Sequence, residues 1–260
     1  MKKTYFLADA HLGSRAIVHR RTHERRLVNF LESIRHDAEC IYLLGDMFDF
    51  WYEFRTVVPR GYTRFLGKLS ELTDQGIEIH FFTGNHDLWI YDYLQEECGL
   101  ILHTSPIVVE IYGQVFYLAH GDGLGDRDWK FTCLRAIFRS KMLRRLFSCI
   151  HPRWSIAFGL QWAKHSRLKR ECEPDYMGED KEPLVLFAKD YLRTHPEVNH
   201  FIFGHRHLML DLLLRPTARL TIVGDWITQF SYVVFDGTEF QLTQFVEGES
   251  GQQQQSKQDL

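Results

Sequence analysis

The stretch CIYLLGDMFD (40–49) joins a run of apolar and aromatic residues to a glycine and two aspartates. The apolar half is typical of a strand that is buried on both faces, and the polar half begins where that strand would end. Apolar runs of the same kind recur along the chain, and they predict seven strands: TYFLA (4–8), CIYLL (40–44), IEIHFF (77–82), VFYLA (115–119), HFIF (200–203), LTIV (220–223) and SYVVF (231–235).

Stretches with helical spacing lie between the early strands, at residues 20–35 and 62–72, where apolar side chains recur every three or four positions. Strand and helix therefore alternate, which indicates an α/β fold. The later strands are joined by short turns such as Asp236-Gly237, which favours antiparallel pairing near the C-terminal end of the sequence.

Residues 127–172 interrupt this alternation, because they are helix-like, poor in strand signals and divided by Pro152. Residues 127–170 hold 12 of the 31 lysines and arginines and one acidic residue, Asp128, which leaves 19 basic residues against 33 acidic ones elsewhere. Such a basic region suggests an anionic partner: a membrane surface, a phosphorylated ligand or nucleic acid. We predict a core (1–126), an inserted basic helical cap (127–172), a continued core (173–247) and a disordered polar tail (248–260).

The composition is that of a globular protein with one sizeable core, since 45% of the 260 residues are apolar and 25% are charged. The first apolar run reaches Asp9 and His11 too early to serve as the hydrophobic part of a signal peptide. No segment approaches the roughly 20 apolar residues that a membrane span needs. Five cysteines without C-x-x-C spacing suit reduced thiols, so we expect a cytoplasmic protein.

Polar clusters follow five of the predicted strands at the point where each strand ends. Ligands of α/β sheets bind at the carboxyl ends of strands, so these clusters are expected to converge. One such motif alone is more often a solvated turn, but five in order are hard to explain that way. The motifs are Asp9-Ala10-His11, Gly45-Asp46-Met47-Phe48-Asp49, Gly84-Asn85-His86-Asp87, His120-Gly121-Asp122 and Gly204-His205-Arg206-His207. The other nine histidines, His80 and His103 among them, are assigned no role.

The clusters supply seven oxygen and imidazole donors and no thiolate, a set that favours Mn, Fe or Zn. Seven donors exceed the needs of one ion, whereas two ions about 3.5–4 Å apart that share a carboxylate would use them all. Asp46 is the natural bridge. The predicted metal ligands are Asp9, His11, Asp46, Asn85, His120, His205 and His207.

In order and spacing, the motifs from Asp9 to His207 resemble those of the calcineurin-like metallophosphoesterases. The resemblance implies a four-layer α/β/β/α sandwich, here with the inserted helical cap. It also implies two divalent ions, manganese first and iron or zinc as alternatives, bridged by Asp46 and a water or hydroxide. The implied ligand sets are Asp9, His11, Asp46 and His207 for one ion, and Asp46, Asn85, His120 and His205 for the other.

The same resemblance implies catalytic roles for two further residues. His86 would face the substrate as a general acid or a transition-state donor, and Asp87 would orient it. The aligned hydroxide would attack phosphorus in line while the ions offset the charge that develops on the phosphoryl group.

One branch of the family is similar in length, in the basic-aromatic insertion after His120-Gly121-Asp122 and in the final motif: the UDP-2,3-diacylglucosamine pyrophosphatases of lipid A synthesis. This resemblance implies hydrolysis to UMP and 2,3-diacylglucosamine 1-phosphate, with acyl chains beneath the cap. It also implies peripheral contact of the basic cap with the anionic cytoplasmic face of the inner membrane. The best-known members carry arginine where this chain has His86, and a related subgroup keeps histidine. Candidate substrate contacts in the cap are Asp128, Arg167 and Lys169.

Two other interpretations stay open. A phosphodiesterase or nuclease, acting on another nucleotide or phospholipid diester, could use aromatic and basic cap residues such as Trp154 and Trp162 to stack bases and pair phosphates. The aliphatic content of the cap argues against a specific nucleic acid. A non-catalytic scaffold of the same fold is the other alternative, although no ligand of the motifs is missing. The sequence does not indicate an oligomeric state.

Overall fold

The computed structural model describes residues 2–125, 136–138, 140–170 and 176–247, without the side chains of residue 141 and residues 165–170. All seven predicted strands are present, each within two residues of its expected bounds. The strands are β1 (Lys3–Leu7), β2 (Ala38–Leu43), β3 (Glu78–Phe82), β4 (Ile101–His103), β5 (Ile107–Ile111), β6 (Gln114–Ala119), β7 (His200–Phe203), β8 (Met209–Arg215), β9 (Ala218–Val223), β10 (Ser231–Phe235) and β11 (Phe240–Gln244). The helices are α1 (Arg20–Ile34), α2 (Thr63–Asp74), α3 (Tyr93–Cys98), α4 (Lys141–Ser148), α5 (Pro152–Arg170) and α6 (Pro183–Thr194).

The first sheet has the strand order β11-β10-β1-β2-β3-β4. Strands β1 to β4 are parallel neighbours, while β10 runs antiparallel to β1 and forms a hairpin with β11. The predicted turn closes that hairpin, because Asp236 Oδ1 accepts the backbone N–H groups of Thr238 and Glu239 at 2.9 and 2.8 Å. The C-terminal antiparallel pairing is therefore confirmed.

The second sheet has the order β5-β6-β7-β9-β8. Its central strands β6, β7 and β9 are parallel, and the edge strands β5 and β8 pair antiparallel with them. Both sheets thus bring the carboxyl ends of several parallel strands to the same region, which is the arrangement that the motifs require.

The two sheets and their helices form four layers. Helices α1, α2 and α3 cover one face of the first sheet through a cluster that includes Leu27, Leu69 and Leu94. Phe6, Tyr42 and Phe116 belong to the cluster between the sheets, and helix α6 covers the outer face of the second sheet. Aromatic rings stack between the two sheets, where the ring centroid of Phe6 lies 5.1 Å from that of Tyr42 and 5.9 Å from that of Phe116. The predicted α/β/β/α sandwich is confirmed.

The described part of residues 127–172 is helical, and Pro152 begins α5, where its missing N–H group costs no hydrogen bond. Hydrogen bonds attach this region to loops of the core, and two of them end on backbone carbonyl groups of the region. Tyr52 Oη donates to the carbonyl oxygen of Arg144 at 2.7 Å, and Trp89 Nε1 donates to that of Phe138 at 2.9 Å. None of the helices described is long and apolar enough to span a bilayer. The predicted tail (248–260) lies outside the described residues.

Burial of His200 makes folding sensitive to acid. Its ring lies 4.4 Å from that of Phe116 and 4.6 Å from that of Phe240, and it is 8% exposed. Burial, together with the charge of Arg219, lowers the pKa of His200 from 6.5 to about 4. The His200 imidazole therefore binds a proton near pH 6.5 in the unfolded chain, but only near pH 4 in the folded protein. This contribution to stability is complete above pH 6.5 and is lost as the pH falls.

Between pH 6.5 and pH 4, we predict that the unfolding free energy of the wild type falls by about 3 kcal/mol more than that of His200→Gln. Urea unfolding at a series of pH values measures this difference. His36→Gln, a change at an exposed position, serves as the control and should retain the wild-type slope. An unchanged slope in His200→Gln would show that His200 does not cause the acid sensitivity.

Candidate metal centre and adjoining cavity

All seven predicted metal ligands lie together at the carboxyl ends of β1, β2, β3, β6 and β7. Three overlapping groups of side chains have ligand atoms within 4.8 Å of one another: Asp9, His11 and His207; His11, Asp46 and His86; and Asp46, His120 and His205. The remaining predicted ligand, Asn85, joins the last group because its Oδ1 lies 3.3 Å from His120 Nε2. The arrangement provides two adjacent half-sites.

The first half-site combines side chains from both sheets. His11 Nε2 lies 3.1 Å from His207 Nε2, and Asp9 Oδ1 lies 3.7 and 3.3 Å from these two nitrogens. The other oxygen of Asp9, Oδ2, accepts the backbone N–H of His205 at 2.7 Å. That bond fixes the carboxylate so that one oxygen points towards the two imidazoles.

The second half-site lies on the other side of Asp46. His120 Nε2 is 3.3 Å from His205 Nδ1 and 3.3 Å from Asn85 Oδ1. His120 Nδ1 donates to the carbonyl oxygen of Leu44 at 2.8 Å, which assigns the ring proton to that nitrogen and directs the Nε2 lone pair inward. When His120 is neutral, its Nε2 and the amide oxygen of Asn85 both offer lone pairs to the same space.

Asp46 connects the two half-sites. Its carboxylate is fully buried, and Oδ2 lies 3.8 Å from His11 Nε2 and 3.4 Å from His120 Nε2, one from each half-site. Oδ1 accepts the backbone N–H of His86 at 2.8 Å. One oxygen of Asp46 thus accepts a backbone hydrogen bond, and the other lies near both half-sites, as the oxygen of a bridging ligand would.

The buried carboxylates of this centre need positive charge close to them. Burial disfavours the charged form of Asp46, but His120, His86 and His11 hold its pKa well below the usual range. Burial also disfavours a charged His120, yet Asp46 and Asp9 raise its pKa to about 10. The carboxylates therefore favour the protonated, positively charged form of the imidazole. Divalent cations could supply the same positive charge. The oxygen and imidazole donors fit such ions.

The backbone around the centre is strained and crowded. Five of the candidate ligands have positive φ angles, which side chains rarely adopt and which persist only where the surroundings enforce them. These residues are Asp9 (56°), His11 (44°), Asp46 (53°), His205 (68°) and His207 (51°). Glycines allow the loops to approach, since a Cβ on Gly84 would lie 2.6 Å from Asp46 N and one on Gly204 would lie 2.7 Å from Asp9 Oδ2.

Asp225 is a site residue that the five sequence motifs do not include. It follows β9, and its Oδ2 lies 3.5 Å from His207 Nδ1 while its Oδ1 accepts the backbone N–H groups of Ile227 and Thr228 at 2.8 and 2.7 Å. This carboxylate orients His207 through Nδ1, the ring nitrogen that is not in the half-site, as carboxylates commonly do for metal-binding histidines. The signal was present in the sequence, because LTIVGD (220–225) repeats the pattern of an apolar run followed by Gly-Asp.

Asp87 makes different contacts from those expected of a residue that orients His86. Its two oxygens accept the backbone N–H groups of Gly84 (2.7 Å), Met47 (2.8 Å), Asp46 (3.2 Å) and Phe48 (3.3 Å). Burial and the nearby Asp46 raise the pKa of Asp87. His86 Nδ1 instead lies 2.9 Å from the carbonyl oxygen of Asp49. Asp87 therefore ties the loops after β2 and β3 together, and Asp49 positions the His86 ring.

A cavity of about 380 Å³ adjoins the centre. Asp49, Asn85, His86 and Asp122 line its polar end, and core and cap residues including Phe50, Trp89, Phe138, Phe147, Phe158 and Trp162 line the remainder. The cavity therefore combines a charged end with long apolar walls. Among the candidate substrate contacts, Asp128 lies outside the described residues, as do the side chains of Arg167 and Lys169 on α5.

A fold of this kind, with such a centre at the strand ends, defines an α/β phosphoesterase. The family model for calcineurin-like phosphoesterase matches residues 2–209. The chain belongs to the calcineurin-like phosphoesterase family and is a hydrolase whose activity depends on divalent metal ions.

Curated relatives extend the match over nearly the whole chain. A protein of Porphyromonas gingivalis named UDP-2,3-diacylglucosamine hydrolase is 48% identical over 248 residues, which cover 91% of this chain and 95% of that protein. A protein of Aeromonas salmonicida with the same name is 30% identical over 244 residues, which cover 93% of this chain and 92% of that protein.

We predict that Gly84→Ala lowers metal content and reduces turnover by roughly a hundredfold, because the added methyl group displaces Asp46 by a fraction of an ångström or more. Metal analysis and hydrolysis of a generic aryl phosphodiester measure both effects. Gly67→Ala is the matched control, since a Cβ there meets nothing within 4 Å. Full metal content and activity in Gly84→Ala would contradict the crowding described for this loop.

Proposed function

We propose that this protein hydrolyses the pyrophosphate of UDP-2,3-diacylglucosamine to UMP and 2,3-diacylglucosamine 1-phosphate. The observation that carries the proposal is the cavity of about 380 Å³, which runs from the candidate metal centre to apolar side chains of the cap. A substrate that joins a pyrophosphate to hydrocarbon chains needs such a combination of surfaces. Relatives that carry the name UDP-2,3-diacylglucosamine hydrolase support the same substrate.

The apolar part of the cavity suits the acyl chains. Phe138, Phe147 and Trp162 of the cap line it together with Phe50 and Trp89 of the core. Each methylene removed from water into such a space contributes about 0.8 kcal/mol to binding, so two long chains would provide substantial affinity. The pyrophosphate would then lie at the polar end, beside Asn85 and His86.

The half-sites provide for two divalent ions, for which manganese is our proposal. Asp9, His11 and His207 would hold one ion, and Asn85, His120 and His205 the other, with Asp46 shared. Bound there, such ions would lower the pKa of a water molecule and offset the charge that develops on the phosphoryl oxygens. Asp225, Leu44 and Asp49 would keep the imidazoles in the required tautomers and orientations.

His86 would act on the substrate rather than hold metal. Its Nδ1 donates to the carbonyl oxygen of Asp49, so Nε2 is the nitrogen that can exchange a proton at the polar end of the cavity. The leaving group of this reaction is a phosphate monoester, which is weakly basic and needs little protonation. His86 would therefore serve mainly as a donor to the equatorial phosphoryl oxygens in the transition state.

The cap would also contact the cytoplasmic face of the inner membrane. Trp154, Phe158 and Trp162 on α5 are 71%, 59% and 47% exposed, and the same helix carries the exposed basic residues Arg153 and Lys164. Aromatic residues beside positive charges suit the interface of an anionic bilayer, where the substrate would reside.

A substrate panel in Mn²⁺ tests the proposal: UDP-2,3-diacylglucosamine, a UDP-sugar without long acyl chains, and single-stranded DNA, with products identified by mass. We expect UMP from the acylated substrate alone. Ala163→Leu, which places a larger side chain in the cavity lining, should raise KM for that substrate roughly tenfold or more while hydrolysis of a small aryl phosphodiester is little changed.

Ala157→Leu is the matched control, because it makes the same change at an exposed position of the same helix. Its kinetic constants should equal those of the wild type. Cleavage of DNA without hydrolysis of the acylated substrate would overturn the lipid proposal in favour of a nuclease. Hydrolysis of every UDP-sugar at similar rates would show that the cavity does not select acyl chains.

We predict that His86→Ala lowers kcat by roughly 10²–10⁴-fold with metal content unchanged, because it removes a proton donor and no ligand. Single-turnover kinetics and metal analysis on the same protein separate the two effects. Since His86 also lies near His11 and Asp46, a parallel loss of metal would make it a ligand instead. Unchanged turnover would eliminate the catalytic assignment.

A further inference from the structure

A second group of metal-binding side chains lies towards the amino ends of β2 and β3, away from the candidate metal centre. Cys40 on β2 is the register partner of Glu78 on β3, and His80 follows Glu78 by two residues, so the three side chains share one face of the sheet. One ligand atom from each lies within 4.8 Å of the others. The cluster is therefore assembled by strand register and not by a mobile loop.

His80 is held in the orientation of a metal ligand. Its ring is 8% exposed, stacks on Tyr42 with 4.5 Å between centroids, and places Nε2 2.6 Å from Glu78 Oε1. The other nitrogen, Nδ1, lies 2.7 Å from His103 Nε2, and the two rings are nearly parallel. A hydrogen bond behind the ring is the usual means of fixing the tautomer of a metal-binding histidine.

The donor set identifies the kind of ion. Thiolate sulphur, imidazole nitrogen and carboxylate oxygen are the ligands that tetrahedral zinc takes in proteins, and the hard ions Mg²⁺ and Ca²⁺ disfavour sulphur. Glu78 is exposed, so the fourth position can be taken by water. Burial raises the pKa of the Cys40 thiol to about 12, which leaves it protonated until a cation displaces the proton.

We propose that Cys40, Glu78 and His80 form a second, separate site for a zinc-like divalent ion, with His103 as the residue that positions His80. Ligand atoms around such an ion stand about 3 to 4 Å apart, so small side-chain rotations suffice to admit it. The site joins β2 to β3 beneath the second sheet, and an ion there stabilises the folded state by mass action.

Binding at this site releases one proton, which comes from the Cys40 thiol. Each of the two rings keeps one proton and changes tautomer, His80 from Nε2–H to Nδ1–H and His103 from Nε2–H to Nδ1–H. His80 Nδ1–H then donates to His103 Nε2, and His80 Nε2 offers its lone pair to the ion. Burial, with the neighbouring His80, lowers the pKa of His103, which suits it to accept that hydrogen bond as a neutral ring.

Cobalt(II) provides a direct test, because thiolate coordination gives a near-ultraviolet charge-transfer band and none of the seven candidate ligands of the first centre contains sulphur. Purified full-length protein, first saturated with Mn²⁺, is titrated with Co²⁺ alone. We expect the band to saturate at one equivalent per chain. Glu78→Gln, a change at an exposed position, should weaken the affinity measured from the band tenfold or more.

Cys40→Ser should abolish the band while Mn²⁺-dependent hydrolysis of an aryl phosphodiester is retained, which shows that the variant is folded. Cys149→Ser is the matched control at an exposed cysteine and should keep the band. Absence of the band in the wild type, or its persistence in Cys40→Ser, would overturn the proposal. Neither result depends on whether the natural substrate is a lipid.

Discussion

The buried carboxylate of Asp46 is the constraint on which the rest of the site depends. A charge with no exposure to water is costly unless hydrogen bonds and opposite charge surround it. One oxygen accepts the backbone N–H of His86, and the other lies 3.8 Å from His11 Nε2 and 3.4 Å from His120 Nε2. The left-handed backbone at Asp46 and the lack of a side chain at Gly84 are both consequences of holding this carboxylate where two half-sites meet.

The two-sheet architecture explains how such a charge can be surrounded. The first sheet contributes carboxylates and an amide from the ends of β1, β2 and β3, together with His11. The second sheet contributes His120, His205 and His207 from the ends of β6 and β7. The aromatic layer between the sheets fixes their relative position, so donors far apart in sequence meet within 4 Å. The cavity begins where this rigid centre reaches the cap, which places apolar walls directly beside polar groups.

The central strands could be predicted from the sequence because they are continuous apolar runs. The motifs could be identified because each one follows such a run. The edge strand β11 was missed for a physical reason: polar residues separate the apolar ones in FQLTQ and none of the five is buried, so the strand contains no continuous apolar run. Helix α6 was not predicted, although its stripe of Leu184, Val185, Ala188 and Leu192 has helical spacing. Contacts such as those of Asp87 with four backbone N–H groups depend on loop geometry, which residue type and spacing do not determine.

Electron paramagnetic resonance of the manganese-loaded protein tests the central claim most directly, because two Mn²⁺ ions that share a carboxylate bridge are magnetically coupled. We expect two ions per chain and an exchange-coupled spectrum. Asp46→Asn should remove the coupling. A single ion per chain at saturation, or two ions with independent spectra in the wild type, would contradict a centre built around Asp46.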